Sequence, residues 1–319
     1  MHPALAILES FVTTPPLLLL VALLLEAWLP LPQRWKPSAL QPIIQKLHQR
    51  VFQHNQSLGQ QRLTGFLFPW IIVLPLTATV WAVRTLAPWP YWFDLIVLIW
   101  CLESQPIKQN LQIIQRLLQA QKRSMARLQL AQMVLRSTGN LSELGICKAA
   151  VEMSILRWLS QWWTPAFAFI LFGIHGAIWV RMLQIVAQSS NLKLSQYRFC
   201  GELAARLLQT FLFIPALVAI TLLMIHPRGM RNIMRVFQHI KYWPAIGSGL
   251  LLNMVGSCLN LSLGGPRYYQ NVKYRYPRLG GAAEPGLMQL MSAYRLLMTI
   301  GWIWWLAWGF YCAWRLYGA

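Results

Sequence analysis

The sequence predicts an all-α fold of the membrane kind: a polytopic helical integral membrane protein with broken or re-entrant helices and cytoplasmic amphipathic helices. Three observations carry that prediction. Only 11% of the 319 residues are charged and 56% are hydrophobic, whereas a soluble domain carries about 25% charged residues. Uncharged apolar runs recur along the chain, most near the ~20 residues that cross a hydrocarbon core. The 17 Trp suit a membrane–water interface, because the indole ring is apolar and one edge hydrogen-bonds.

The spans follow in order. Residues 15–31 open on Pro15-Pro16, which suits a helix start, and hold Glu26. No basic n-region or small-residue cleavage site accompanies this run, so it is expected to stay as a span. Residues 65–83 form the second span, closed by Arg84, and residues 89–102 the third, with Asp94 and Glu103. The link Thr85-Leu86-Ala87-Pro88 is short enough to make these two a tight helical hairpin. Residues 158–180 are uncharged but broken at Thr164-Pro165 and at Gly173-Ile174-His175-Gly176. A bent or re-entrant pair over 162–188 is expected there, turning at the second break, since non-helical backbone at membrane depth must be buried in protein. Residues 207–225 contain Pro215, residues 242–266 are rich in Gly, Ser and Asn, and residues 296–314 carry Trp302, Trp304 and Trp305.

The charges orient these spans. Residues 32–64 hold Arg34, Lys36, Lys46, Arg50 and Arg62 and no acid, and residues 105–150 are rich in Lys and Arg. Both read as cytoplasmic by the positive-inside rule, which predicts a bacterial cytoplasmic (inner) membrane with the 84–88 turn in the periplasm. Cytoplasmic helical segments are expected at about 32–64, 105–150 and 189–206. After residue 158 two basic clusters would fall on opposite sides by simple alternation; the re-entrant pair reconciles them. Residues 108–136 read as one long helix packed on the protein's own spans. A shorter basic helix at 231–241 either packs likewise or lies on anionic lipid. No internal repeat divides the chain, so residues 1–319 are expected to form a single domain.

The net charge of +20 raises nucleic acid as a partner. The bases flank apolar runs instead of forming one basic domain, so anionic membrane lipids are expected and nucleic acid is not. The five Cys are scattered, odd in number and without a CxxC, a pattern that suggests neither a disulfide framework nor a zinc site. The eight carboxylates never lie within three or four positions of one another, and GxxxxGK[ST], GxSxG and HExxH are absent. His175 is expected to hydrogen-bond a neighbouring helix. Gly264-Gly265 opens a basic segment, where backbone N–H groups can approach an anion or a turn ends a span. Lys193, Tyr197, Arg198 and Arg206 form a second basic set, either a phosphate grip or a positive-inside loop.

Several of these stretches carry a resemblance. Arg136-Ser137-Thr138 stands for an R-D-T motif, and Glu152 to Gln161 followed by Thr164-Pro165 stands for E-T-V-A-E-N-T-V-D-G and A-P. Arg181 and Gln184 are soft matches in Y-K-A-V-N-T-L-D. K-x-x-x-Y-R-x-x-G is intact as Lys193, Tyr197, Arg198 and Gly201; R-x-D-D-x-x-N-x-x-P keeps Arg206 and Pro215. L-G-G-x-x-x-Y matches Leu263, Gly264, Gly265 and Tyr269, a late Arg matches Arg295, and an early L-D…D-P becomes Leu25-Glu26…Leu31-Pro32. The chain thus resembles the adenosylcobinamide-phosphate synthase family (CbiB/CobD, of cobalamin biosynthesis) and, more distantly, AmpE, a membrane protein associated with β-lactamase regulation.

The resemblance implies an ATP-dependent amide synthesis joining adenosylcobyric acid to an aminopropanol moiety, with Mg²⁺ on the phosphates. Most of the motif acids are replaced: the second Glu of the helix is Leu156, its Asn is Arg157 and its Asp is Ser160, while the D-D pair is Leu208-Gln209. A site with so few acids is expected to hold no cofactor, ATP and Mg²⁺ entering only if the family activity survives. The expectation is a non-catalytic relative with an AmpE-like role, binding an anionic small molecule or a protein partner. An active synthase is the alternative, and a transporter or lipid-handling protein the third reading. The expected ligand residues are Arg136, Glu152, Arg181, Lys193, Tyr197, Arg198, Arg206, Gly264, Gly265, Tyr269 and Arg295; Glu152 is the catalytic candidate if activity remains. Lys148, four residues before Glu152 on one helix face, is a candidate partner for it.

Overall fold

A computed structural model describes residues 14–29, 31–52, 57–189, 201–238, 243, 245–269 and 272–317. In chain order the helices are α1 (Pro15–Trp28), α2 (Gln41–Val51), α3 (Leu58–Leu86), α4 (Pro90–Cys101), α5 (Gln105–Gln119), α6 (Arg123–Ala131), α7 (Glu143–Trp158), α8 (Thr164–Ser189), α9 (Glu202–Leu223), α10 (Pro227–Gln238), α11 (Ile246–Leu259) and α12 (Ser292–Tyr317). A π-helical turn at Leu159–Trp163 joins α7 to α8. Four short strands lie between α11 and α12: β1 (Ser262–Gly264), β2 (Arg267–Tyr269), β3 (Val272–Tyr274) and β4 (Arg278–Gly280). Four helical stretches are long and apolar enough to cross a membrane: Gly59–Leu86, Glu143–Ser189, Glu202–Leu223 and Leu287–Arg315. The protein is a helical, multi-pass membrane protein.

The chain separates into two compact units, each assembled from distant segments. The first comprises residues 1–105, 160–208 and 302–319; the second comprises 106–159 and 209–301.

In the first unit, the expected α3–α4 hairpin is present. Arg84 Nε donates to both oxygens of the buried Asp94, at 2.9 and 3.1 Å, and so clasps the turn. The run 162–188 is bent as expected. Gly173 takes φ 66° and ψ −161°, a backbone region essentially restricted to glycine. A Cβ on Gly176 would lie 2.6 Å from the Ala168 carbonyl oxygen. Eight residues of straight helix would separate these positions by about 12 Å, so α8 doubles back on itself. Trp162, Trp163, Phe167, Trp302 and Trp305 pack ring against ring beside this hairpin.

In the second unit, two expectations fail. Residues 108–136 are not one helix: α5 ends at Gln119, Gln121 stands in the left-handed region at φ 57°, and α6 starts at Arg123. Lys122 N–H bonds Leu117 O at 2.8 Å and Gln121 N–H bonds Leu118 O at 3.0 Å, the paired pattern of a Schellman end. Gln129 Nε2 reaches back to Asn110 Oδ1 at 2.7 Å, so α5 and α6 form a helical hairpin. Those end bonds offset the ~1–2 kcal/mol that a non-glycine residue loses there. Residues 242–266 also differ from a span. α11 is 14 residues long, about 21 Å, and ends where Asn260 turns left-handed; β1 follows at once.

The strands form two antiparallel pairs. β1 pairs with β4, Ser262 opposite Gly280 and Gly264 opposite Arg278, and β2 pairs with β3. The β1–β4 ribbon lies against α11, where Gly280 Cα stands 2.9 Å from the place a Cβ on Gly256 would take. Asn253 Oδ1 accepts the Gly280 N–H at 2.7 Å, which fixes the ribbon on the helix.

Candidate functional site

The second unit gathers several of the expected residues around one carboxylate. α7 is capped by Ser142, whose side chain accepts the Gly145 N–H at 3.1 Å. Two and a half turns later Glu152 points inward and is 3% exposed. Its Oε1 accepts the Gly264 N–H at 2.6 Å. Its Oε2 lies 3.2 Å from Arg136 Nη1 and 3.1 Å from Arg267 Nη2. Gly264 sits at φ 74°, and a Cβ there would fall 2.4 Å from the Pro277 carbonyl oxygen. Only glycine lets the strand bring its amide to the carboxylate.

The two arginines are held from different directions. Arg136 precedes Ser137, whose N–H bonds the Tyr268 carbonyl at 2.9 Å. Arg267 lies on β2 with its guanidinium over the Trp243 and Tyr276 rings, at 5.0 and 5.2 Å, a cation–π arrangement. Burial lowers the Arg136 pKa more than Glu152 restores it. Burial also opposes charge on Arg267, but Glu152, Tyr269 and Tyr276 outweigh it and raise its pKa. Tyr269 is buried, hydrogen-bonds Arg267 and meets Tyr274 edge-on at 5.4 Å. At the rim, Lys148 Nζ lies 3.9 Å from the Cβ position of Gly265 and 3.5 Å from Glu284 Oε2.

Arg136, Glu152, Gly264, Gly265 and Tyr269 therefore meet in one cradle. Lys148 is not the partner of Glu152. The carboxylate turns toward β1 and two guanidiniums, which leaves the ammonium to Glu284. The anion approached by the Gly264 amide is the protein's own Glu152. Arg267, Trp243 and Tyr276 were not foreseen; the signal available was that Arg267 is the first base after the glycine pair.

The other expected residues lie elsewhere. Lys193, Tyr197 and Arg198 fall outside the described residues. Arg295 is exposed on α12. Arg206 is exposed in the first unit and pairs with Glu202. Arg181 belongs to a buried cluster of the first unit: 0% exposed, it lies 2.9 Å from Glu103 and bonds Gln184. Glu103 also accepts the Ser38 N–H at 3.2 Å. Beside them Lys36 donates to Leu102 O at 2.8 Å and stands 3.8 Å from Glu26. Glu26 in turn accepts the Ser104 N–H and hydroxyl, at 2.9 and 2.6 Å, a carboxylate at the entry to α5 where helix polarity favours negative charge. The expected hydrogen bond from His175 to a neighbouring helix is not formed at Nδ1, which is buried without a partner.

A sequence model of the CobD/Cbib protein family matches residues 19–297. The chain belongs to that family. Among its relatives are a cobalamin biosynthesis protein CobD of Chromobacterium violaceum, 24% identical over 90% of this chain and 94% of its own length, and one of Stutzerimonas stutzeri, 26% identical over 89% and 93%. A probable cobalamin biosynthesis protein CobD of Pyrococcus furiosus is 28% identical over 43% of this chain and 47% of its own. No solved structure matches.

Proposed function

We propose that this member of the CobD/CbiB family is a non-catalytic binding protein of the bacterial inner membrane, with its basic segments cytoplasmic. Its cradle of Arg136, Arg267 and the Gly264 amide receives an anionic group, and Glu152 fills that role when no ligand is bound. The supporting observation is the state of the acids. Of the eight carboxylates, Glu9 lies outside the described residues. Each of the other seven is ion-paired with a Lys or Arg of the chain itself.

Phosphoryl chemistry of the family kind asks for Mg²⁺ seated by carboxylate oxygens and substrate phosphate. The donor set here does not suit it. Among the described residues no three of His, Cys, Asp and Glu cluster as metal ligands would, and Glu152 is enclosed by two guanidiniums and an amide. That enclosure suits a phosphate or carboxylate, which forked arginine donors bind well. An AmpE-like regulatory or scaffold role, with an anionic small molecule or a protein partner, fits such a site.

The names of the relatives favour a second reading, an active adenosylcobinamide-phosphate synthase. One assay separates the two: purified protein incubated with ATP, Mg²⁺, adenosylcobyric acid and aminopropanol phosphate. We expect no amide product. Turnover that disappears in Glu152→Gln would establish the synthase and end the non-catalytic reading. In parallel, Glu152→Gln should bind pyrophosphate more tightly than wild type, because the internal competitor is gone.

A further inference from the structure

A cavity of about 230 Å³ opens in the first unit at the turn of the α8 hairpin. Its polar lining is Arg84, Tyr91, Asp94 and His175, and its apolar wall includes Leu18 and Phe169. Gly173 contributes bare backbone in its glycine-only conformation. Such pockets for drug-sized ligands run to roughly 300–1,000 Å³, so this one suits a small head group.

Its depth is set by α3. Arg62 lies near the start of that helix and Arg84 near its end, about 33 Å apart at ~1.5 Å per residue. The hydrocarbon core is ~30 Å thick. Arg84 therefore stands at head-group level on the opposite membrane face from Arg62, and the cavity with it.

The chemistry of the lining selects among head groups. Arg84 commits Nε to Asp94; its terminal nitrogens have no hydrogen bond among the described residues. Asp94 is a buried anion, and His175 Nδ1 is a buried acceptor without a partner when its proton is on Nε2. The charges of Arg84 and Asp94 cancel. A head group with net negative charge would meet Asp94 unfavourably. A dipolar one meets each side with the opposite sign: ammonium toward Asp94 and His175 Nδ1, phosphate toward the guanidinium fork. We propose that this cavity binds the head group of a zwitterionic aminophospholipid, with its glycerol and first acyl carbons along Leu18 and Phe169.

The test uses the full chain purified in detergent and native mass spectrometry with three probes: phosphatidylethanolamine, phosphatidylglycerol and free phosphoethanolamine. Phosphatidylethanolamine should stay bound at collision energies that remove phosphatidylglycerol. His175→Leu, which leaves the Arg84–Asp94 clasp in place, should reduce retained phosphatidylethanolamine by roughly tenfold, the scale of one lost charge-assisted bond. Asp94→Asn should abolish the preference between the two lipids, and its melting temperature reports whether the hairpin survives. Equal retention of both lipids, or wild-type retention in His175→Leu, overturns the proposal. So does tight binding of free phosphoethanolamine by a chain that retains no lipid, since the site would then serve a soluble zwitterion.

Discussion

Two Arg–Glu constellations, one in each unit, bury their charges in opposite ways. In the second unit both Glu152 oxygens are engaged, by an amide and two guanidiniums, and the arginine side chains keep 11% exposure. In the first, Arg181 and Glu103 are sealed at 0% and 1% exposure. Yet Glu103 Oε2, Arg181 Nε and Gln184 Nε2 carry no hydrogen bond. A buried ion pair regains its desolvation cost only when its remaining lone pairs and protons are also satisfied. The comparison teaches that depth and completeness are separate properties. The shallower cradle is the one whose acid is fully engaged, although Arg267 Nε there is buried without a hydrogen bond, and it is the one proposed above to exchange one anion for another.

The largest expected effect comes from breaking the sealed pair. Arg181→Met leaves Glu103 buried without its guanidinium and should cost about 3–5 kcal/mol, read as thermal unfolding in detergent. Arg181→Met combined with Glu103→Leu should recover most of that loss; a double variant no more stable than the single one would remove the contrast drawn here.

Next is His48 on α2, a buried titratable group whose pKa burial alone lowers to about 4, packed on Phe52 and Phe68. Its unfolded value is near 6.5, so this contribution is complete above that pH and is lost as pH falls toward 4, because only the unfolded chain takes up the proton. The loss reaches about 3 kcal/mol at ~1.4 kcal/mol per unit. In His48→Phe, the extra acid sensitivity of wild type between those pH values should vanish.

Smaller is Glu152→Gln, which keeps shape and removes charge. It should cost about 1–3 kcal/mol by leaving two guanidiniums undercompensated, with salts of phosphate restoring part of it. Smallest is Arg267→Lys, which loses the planar contact with Trp243 and Tyr276 and should cost about 1 kcal/mol; a larger loss would mean that Arg267, more than Arg136, holds Glu152.

The legible parts of this protein were those with a local chemical signature. The α8 turn could be read because Gly173 and Gly176 interrupt an uncharged run. The α3–α4 hairpin could be read because four residues link two apolar stretches. The break between α5 and α6 left no such mark: Gln121 is an ordinary residue, and the left-handed turn is stabilised by end bonds and by the Asn110–Gln129 contact across the hairpin. The strands were hidden for a related reason. Three-residue ladders are too short for alternation to register, and their pairing joins residues up to 18 positions apart. At the cradle, residue types and the glycine pair pointed to anion binding. That the anion is Glu152 depends on α7 and β1 lying side by side, which no spacing within α7 encodes.

The glycine-on-glycine contact between α11 and β4 has a reach beyond its own position. Gly264 terminates the strand that Gly280 anchors, so the two glycines act as a gauge that sets how deep the amide descends. A methyl group added at Gly280 would push the ribbon outward and pull the hydrogen bond off Glu152 from the far end. A substitution with no polar atom, at a place touching neither arginine, would thus loosen the cradle's hold on its own acid.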